Sequence, residues 1–220
     1  MLFDGSIRLF SRSRKFCVFA IAALIALAVS VAFAQDAARD QWQRPAEVMD
    51  ALGVTAGSSV ADVGAGDGYF TWHLAERVGT KGRVYAEDIV PSVIADLKRQ
   101  GQDKGLKQVE VIEGTESDPR LPAGALDAVI VVNAYHEMDE HSAMLKGIMR
   151  ALKPGGRLGI IDKEAETGHD RTWYHSHHRI AKEVVRQEAT GDGFEFRGEK
   201  PGFVRPPDSK WYFLVFVKGR

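Results

Sequence analysis

Short apolar segments alternate with longer helical segments along most of this chain, and this alternation constrains the fold more than any other feature. Five apolar segments are typical of buried strands: 59–63, 82–89, 108–112, 126–132 and 156–161. Helices are predicted in front of and between them, at 45–52, 69–78, 91–104 and 140–152. Strands that alternate with helices in this way predict a parallel sheet with helices packed on its faces.

The C-terminal part of the chain has a different pattern. Residues 177–190 are predicted as a helix, and 194–197 and 211–217 as strands joined by the loop 198–210. Two strands with no helix between them are expected to pair antiparallel. The sequence therefore predicts one α/β domain, 45–220, whose seven-stranded sheet is mainly parallel and has an antiparallel C-terminal strand.

The first 34 residues are predicted to be a secretory signal peptide. The segment starts with four basic side chains, Arg8, Arg12, Arg14 and Lys15. An uncharged stretch, 16–34, follows and ends in the small-residue triplet Ala32-Phe33-Ala34. An uncleaved inner-membrane anchor is the alternative, because the stretch is close to the about 20 residues that span a bilayer. We expect a periplasmic or secreted protein that touches the membrane only through this segment, and only if the segment is uncleaved, with 35–44 as a polar linker.

Charge and cysteine content exclude some classes of partner and site. The whole chain has a formal net charge of −1. Residues 1–34 carry four basic side chains and one acidic side chain, so residues 35–220 carry a net charge of −4. A mildly acidic domain gives no electrostatic reason to bind nucleic acid. The single cysteine, Cys17, lies in the predicted signal peptide, so the processed chain has no disulfide and no thiolate metal site.

A glycine-rich bend follows the first predicted strand. Gly64, Gly66 and Gly68 form G-x-G-x-G immediately before the helix 69–78. Glycine lets the backbone adopt positive φ and approach a ligand closely, and the helix start adds free N–H groups. Tyr69 and Phe70 stand where a dinucleotide-binding G-x-G-x-x-G loop needs a small residue, which argues against a pyrophosphate ligand.

An acidic pair ends the second predicted strand. A carboxylate at Asp88 can accept hydrogen bonds from both ribose hydroxyls of a bound nucleoside. Glu87 is the alternative, and the alternation of side chains along a strand is expected to point the two residues to opposite sides. A nucleoside-containing cofactor is therefore expected between the glycine bend and this strand end.

Three ordered segments resemble the class I S-adenosylmethionine-dependent methyltransferases. They are VADVGAGDGYF at 60–70, VYAEDI at 84–89 and LKPGGRLGIID at 152–162, and the resemblance covers about 45–165. The stretch NAYHEM at 133–138 is similar to a subgroup of exported bacterial methyltransferases. The resemblance implies a Rossmann-like three-layer α/β sandwich, S-adenosyl-L-methionine as cofactor, and direct displacement of its methyl group by a small-molecule acceptor.

The resemblance also implies roles for individual positions. The glycine bend, Ala65 included, would line the amino acid and ribose parts of the cofactor, and Asp88 would take the ribose hydroxyls. Asp62 would help to place the methionine end. Asp118, or alternatively Glu116, would meet the adenine amino group, and Asn133 would lie beside the cofactor.

Candidate catalytic residues follow the fourth predicted strand, at the edge where such folds bind ligands. They are Tyr135, His136 and Glu137. His136 can act as a base near neutral pH if the acceptor must lose a proton. Packing against the cofactor, or capping of a helix, is the other interpretation of His136.

Four histidines near the C-terminal third raise the question of a metal site. They are His169, His175, His177 and His178, with Trp173 and Tyr174 between them. No acidic or cysteine partner has the spacing of a zinc motif, so no metal site is predicted. A lid on the substrate side of the pocket is favoured instead.

Two rival functional hypotheses are considered, the first of which is motivated by the predicted export, because S-adenosylmethionine is made in the cytoplasm. One is a non-catalytic module that binds a nucleoside or S-adenosylmethionine as a sensor. The other, less favoured, is a nicotinamide-dependent oxidoreductase, against which Tyr69, Phe70 and the Pro154-Gly155-Gly156 turn argue. The oligomeric state is left open.

Overall fold

A computed structural model describes residues 38–202, 204–205 and 209–219 of the 220-residue chain. The predicted signal peptide, 1–34, lies outside the described residues. Residues 38–43, inside the predicted linker, are helical. Within the described ranges, every helix is too short or too polar to cross a bilayer.

Residues 43–220 form one compact unit of alternating strands and helices. The helices are α1 (Pro45–Ala51), α2 (Tyr69–Val78), α3 (Pro91–Asp103), α4 (His141–Ala151), α5 (Arg171–His177) and α6 (Lys182–Gly191). The strands are β1 (Ser59–Val63), β2 (Arg83–Asp88), β3 (Val109–Glu113), β4 (Leu126–Val132), β5 (Leu152–Lys163), β6 (Phe194–Glu199), β7 (Val204–Arg205) and β8 (Ser209–Lys218).

The main sheet has seven strands in the order β3-β2-β1-β4-β5-β8-β6, and the short β7 pairs with β8 off this path. β1 to β5 pair in parallel, whereas β8 runs antiparallel to both β5 and β6. The predicted fold is therefore confirmed. β1 and β4 are largely buried on both faces, because helices cover both sides of the sheet, and their buried side chains are apolar except for Asp62.

The register of the parallel strands brings their carboxyl ends together. Val63, the last residue of β1, pairs with Glu87 of β2 on one side and Val131 of β4 on the other. The glycine bend after β1, the acidic end of β2 and the segment after β4 thus lie at one edge of the sheet, where ligands bind in folds of this kind.

The Pro154-Gly155-Gly156 segment is part of β5 instead of a turn before it. Leu126 of β4 pairs with Leu152 and Ala128 with Arg157, so extra residues of β5 bulge out of the ladder. Gly155 has φ +77°, which the bulge requires and glycine allows.

The predicted helix 177–190 is wrong in its first part. Two helices, α5 and α6, occupy the region instead. Asp170 starts α5, because its carboxylate accepts a hydrogen bond from the backbone N–H of Trp173 at 2.8 Å. His178, with φ +50°, ends α5, and Ile180 then donates its N–H to the carbonyl of Lys163 at the end of β5.

Candidate functional site

A cavity of about 460 Å³ opens at the carboxyl ends of β1, β2 and β4. Four of the predicted cofactor residues line it: Gly64, Gly66, Asp88 and Asn133. Its volume falls within the range of about 300–1,000 Å³ that is usual for small-molecule sites. These four residues come from three loops, and the parallel register explains why they meet.

A larger groove, of about 700 Å³, lies at the opposite end of the sheet. Gly155, Arg157 and Lys218 belong to its walls, and these residues lie near the start of β5 and the end of the antiparallel β8. The amino ends of parallel strands are not where open α/β sheets bind their ligands. The smaller cavity is therefore the candidate site.

The glycine bend has the conformation that its sequence predicts. Gly64, Gly66 and Gly68 have φ values of +70°, +54° and +81°. A Cβ on Gly64 would lie 2.6 Å from Cβ of Ala134, and a Cβ on Gly68 would lie 2.7 Å from the Trp72 ring. A Cβ on Gly66 would meet open space. The first and second glycines therefore border the cavity, whereas Gly68 is needed for packing at the start of α2.

Asp88 connects the loop after β1 to the loop after β2. Its Oδ2 accepts a hydrogen bond from Gly66 N–H at 3.0 Å, and its Oδ1 accepts one from Val90 N–H at 2.9 Å. Each carboxylate oxygen has two lone-pair positions, so both oxygens can accept a further donor. The side chain lines the cavity and is anchored in place to receive a ligand's hydroxyl groups.

Tyr69 does not block the bend. Its side chain is buried at the start of α2, where its ring packs edge-on against Phe70 and His73. It is not among the residues that line the cavity. The space beside the glycine bend is therefore left to a ligand.

Glu87 lines the same cavity, although strand alternation predicted that it would point away from Asp88. Its Oε2 accepts a hydrogen bond from Gly64 N–H at 3.3 Å, and Oε1 has no hydrogen-bond partner among the described residues. Gly114 makes room for this side chain, because a Cβ there would collide with Oε1. Burial raises the pKa of Glu87 to about 8, against the lowering effect of the Gly64 N–H. Near neutral pH the group is mainly a neutral acid that can donate a hydrogen bond.

Glu87 leads to a prediction about the pH dependence of stability. Its pKa is raised from 4.5 to about 8 by burial and by the charges of Asp62, Asp88 and Asp118, so the folded state keeps a proton that the unfolded state loses. The free energy of unfolding should therefore fall as pH rises from about 4.5 to about 8. Glu87→Gln should lose this dependence and gain a few kcal/mol over the wild type at high pH, since one pKa unit is worth about 1.4 kcal/mol.

Urea unfolding of wild type and Glu87→Gln at about pH 5 and about pH 9 measures this difference. Glu113→Gln, at the exposed end of β3, is the matched control and should follow the wild type. Parallel pH profiles for the wild type and Glu87→Gln would contradict the assignment.

The predicted contacts of Asp62, Ala65 and Asp118 are not seen at the cavity wall. Asp62 is buried beneath the bend, where its Oδ2 accepts a hydrogen bond from the Thr71 hydroxyl at 2.7 Å. Ala65 is buried among apolar side chains. Asp118 pairs with Arg150 at 2.9 Å on the far side of its loop. Its predicted alternative, Glu116, does line the cavity, because the loop turns at Asp118.

Asn133 follows β4 in a left-handed conformation, with φ +54°. Its N–H donates to the carbonyl of Ile161 at 2.8 Å, which continues the ladder with β5. Asparagine tolerates this backbone region better than most residues. The sharp bend turns the following residues, Tyr135–Glu137, into a 3-10 turn at the cavity edge.

Only one of the three predicted catalytic residues reaches the cavity. Glu137 lines it, whereas Tyr135 and His136 are buried behind. The Tyr135 hydroxyl donates to Glu188 at 2.9 Å, and Glu188 also binds Arg171 at 2.6 Å. Burial and the Glu188 carboxylate raise the pKa of Tyr135 well above 10. Tyr135 therefore fixes the 3-10 turn to α6 and cannot serve as a base.

His136 is completely buried and held by a carboxylate. Its Nδ1 lies 2.9 Å from Oδ1 of Asp162, near the end of β5, and its backbone N–H donates to Oδ2 of the same residue at 3.1 Å. Its Nε2 points toward Glu137, whose Oε1 is 3.4 Å away. Asp162 is a positioning residue that the sequence missed, because the contact joins the loop after β4 to the strand that follows α4.

The histidine-rich segment is divided between different surroundings. Trp173 is stacked between His169 and His177, with ring centroids at 3.6 and 4.0 Å. Of the four histidines, only His175 lines the cavity. Further lining residues that the sequence did not single out are Ile89, Val90, Val93, Thr115, Ala134, Met138, Asp139 and Met144. Except for Thr115 and Asp139 these side chains are apolar, and the set carries no distinctive sequence pattern.

Comparison with known proteins gives consistent matches. A family model described as a methyltransferase domain matches residues 60–156. An uncharacterized methyltransferase of Bacillus subtilis (strain 168), YdaC, is 30% identical over 141 residues, which are 63% of this chain and 73% of that protein. A demethylmenaquinone methyltransferase of Lactococcus lactis subsp. lactis (strain IL1403) is 30% identical over 128 residues, or 58% of this chain and 50% of that protein.

The chain spans about half the length of the demethylmenaquinone methyltransferases that it matches. Among solved structures, a SAM dependent methyltransferase from Aquifex aeolicus superposes with a TM-score of 0.67 at 24% identity. The superposition covers 79% of this chain and 88% of that one, and it shows a shared fold.

Proposed function

The chain belongs to the class I S-adenosylmethionine-dependent methyltransferase family, and from that premise we propose that it transfers the methyl group of this cofactor to a small-molecule acceptor. One observation carries the proposal. The glycine bend and the carboxylate of Asp88 lie in contact, with Gly66 N and Asp88 Oδ2 3.0 Å apart, and both line one cavity.

The residues of the cavity fit S-adenosylmethionine. Asp88 has free acceptor capacity for the ribose hydroxyls. Ile89 and Val90, at 46% and 45% exposure, are the exposed large hydrophobic side chains of the described residues, and both line the cavity beside Asp88. They offer an apolar surface to a base, with Glu116 at the polar edge. Gly64 and Gly66 leave space for the amino acid part.

Bound there, the cofactor supplies a methyl group that the positive charge on its sulfur activates. The chain's own contribution is alignment of the acceptor and exclusion of water. Glu137 and His175 provide the polar groups at the end of the cavity formed after β4, and Met138 and Met144 provide apolar ones. This mixture supports an acceptor with an apolar body and a hydroxyl-bearing head, as a quinol has. The names of several relatives refer to demethylmenaquinone.

Calorimetry followed by a transfer assay tests the proposal. The purified protein should bind S-adenosylmethionine and S-adenosylhomocysteine in the micromolar range and should not bind NAD. Transfer of labelled methyl from the cofactor to a panel of quinols, phenols and amines then identifies the acceptor class. Preferential binding of NAD would overturn the proposal. Tight cofactor binding without methyl transfer to any compound would favour the sensor hypothesis.

A further inference from the structure

Three metal-ligating atoms converge beside the cavity from distant parts of the chain. They are Nε2 of His136, Oε1 of Glu137 and Nδ1 of His178, and all lie within 4.8 Å of one another. The Glu137 oxygen is 3.4 Å from each of the two histidine nitrogens. We propose that these residues bind a divalent transition-metal ion of the zinc type.

The buried side chain of His136 supports a bound ion. His136 is fully buried, and its Nε2 has no hydrogen-bond partner among the described residues. A buried nitrogen without a hydrogen-bond partner lowers the stability of the folded state. Asp162 accepts a hydrogen bond from Nδ1 at 2.9 Å, so the ring presents the lone pair of Nε2 toward Glu137. A cation between His136 Nε2 and Glu137 Oε1 would give both atoms a partner.

The contact between Asp162 and His136 also matches an arrangement that is common around protein-bound metals. Histidines that bind metal usually donate their second ring N–H to a carboxylate, which fixes the ring and its tautomer. The Asp162 side chain is fully buried and serves His136 in this way. It is therefore a positioning residue for the proposed site, and not a ligand.

The spacing of the ligand atoms matches the proposed ion. Zinc lies about 2.0–2.2 Å from nitrogen and oxygen ligands, so neighbouring ligands of a tetrahedral site are about 3.4 Å apart. The distances from Glu137 Oε1 to the two histidine nitrogens, both 3.4 Å, agree with this value, and the two nitrogens lie within 4.8 Å of each other. Two imidazoles and one carboxylate suit zinc or a similar transition metal, whereas magnesium and calcium require mainly oxygen ligands. Three protein ligands leave one coordination position open.

Backbone geometry explains why His178 joins this site while its neighbours do not. His178 ends α5 in the left-handed conformation, and its ring meets His136 edge-on at 5.5 Å. His177, one residue earlier, stacks on Trp173 and directs its Nδ1 at the Trp173 carbonyl. The sequence analysis predicted no metal site, because the ligands of the site proposed here come from two distant segments, the turn after β4 and the end of α5. No local motif contains both.

The position of the site adds a role that rests on the proposed function. Glu137 lines the cavity, so the ion would lie at the end where the acceptor is expected. An oxygen or sulfur of the acceptor that took the open position would lose its proton more easily, because a metal lowers the pKa of a bound group. Metal binding itself does not depend on this role.

Zinc binding to the tag-free protein tests the site in the absence of cofactor and acceptor. After treatment with a chelator, the wild type should bind one zinc ion per chain in competition with a chromophoric chelator. Asparagine tolerates the left-handed backbone conformation at this position. His178→Asn should therefore keep the fold and weaken zinc binding at least about 100-fold. Asp162→Asn should weaken it about 10–100-fold. His177→Asn, the matched control, should bind as the wild type does. Circular dichroism verifies that each variant is folded.

Cobalt substitution gives a second measurement. Cobalt in a tetrahedral site with nitrogen and oxygen ligands should produce visible absorption bands that disappear in His178→Asn and persist in His177→Asn. The proposal is overturned if the wild type binds no zinc, or if the two histidine variants lose affinity equally. Neither measurement involves methyl transfer, so failure of the proposed function and failure of this site are distinguishable.

Discussion

Asp88→Ala is expected to weaken the binding of S-adenosylhomocysteine by about 100-fold or more. The variant removes the proposed acceptor of two ribose hydroxyls, and hydrogen bonds to a charged group are worth about 1.5–3 kcal/mol each. A loss of about 3 kcal/mol corresponds to about 100-fold in the dissociation constant. The change also leaves the N–H groups of Gly66 and Val90 without their carboxylate partner. Calorimetric titration measures the effect.

Two further variants distinguish loss of the ligand contact from a general loss of stability. Asp88→Asn keeps the shape but replaces one acceptor oxygen with a donor, and we expect an intermediate loss of about 10-fold. Asp96→Asn, on the exposed face of α3, should bind as the wild type does. If folded Asp88→Ala retained wild-type affinity, the ribose would have to lie elsewhere.

Gly64→Ala is expected to cost about 2–5 kcal/mol of stability and to abolish cofactor binding. The residue has φ +70°, and an added Cβ would come within 2.6 Å of Cβ of Ala134. A left-handed conformation costs an ordinary residue about 1–2 kcal/mol, and overpacking adds about 1–3 kcal/mol. Urea unfolding gives the stability, and titration with S-adenosylhomocysteine gives the affinity.

The collision itself can be removed by a second substitution. Gly64→Ala combined with Ala134→Gly eliminates the Cβ contact and should recover the overpacking part of the loss. Gly57→Ala is the matched control for backbone strain, because Gly57 has φ +85° and nothing lies within 4 Å of its added Cβ. It should cost only about 1–2 kcal/mol and leave binding unchanged. Equal destabilisation by Gly64→Ala and Gly57→Ala would show that the close approach to Ala134 is unimportant.

The fold was predictable because it rests on local patterns that tertiary structure reinforces. Strands buried on both faces are mostly apolar, so β4, and β1 in spite of Asp62, stand out in the sequence. The contact between Gly66 and Asp88 was also within reach, since parallel neighbours end at the same edge of a sheet. α5 was missed because its start depends on one capping residue, Asp170, in a segment with weak helical periodicity.

The acceptor side of the site was less accessible to prediction. Strand alternation placed Glu87 opposite Asp88, but the alternation ends with the strand, and both carboxyl groups reach the cavity. Tyr135 was a reasonable catalytic candidate until Glu188, far along the chain, was found to hold its hydroxyl. The meeting of His136 with His178 depends on the left-handed end of α5. Such long-range contacts produce no periodic pattern of residues in the sequence.

A crystal structure of the protein with S-adenosylhomocysteine would show directly where the cofactor binds. We predict that the ligand fills the cavity at the ends of β1, β2 and β4, with both ribose hydroxyls on the Asp88 carboxylate and its amino acid part against Gly64 and Gly66. A ligand in the groove beside Arg157, or one whose ribose makes no contact with Asp88, would show that the proposed cofactor site is wrong.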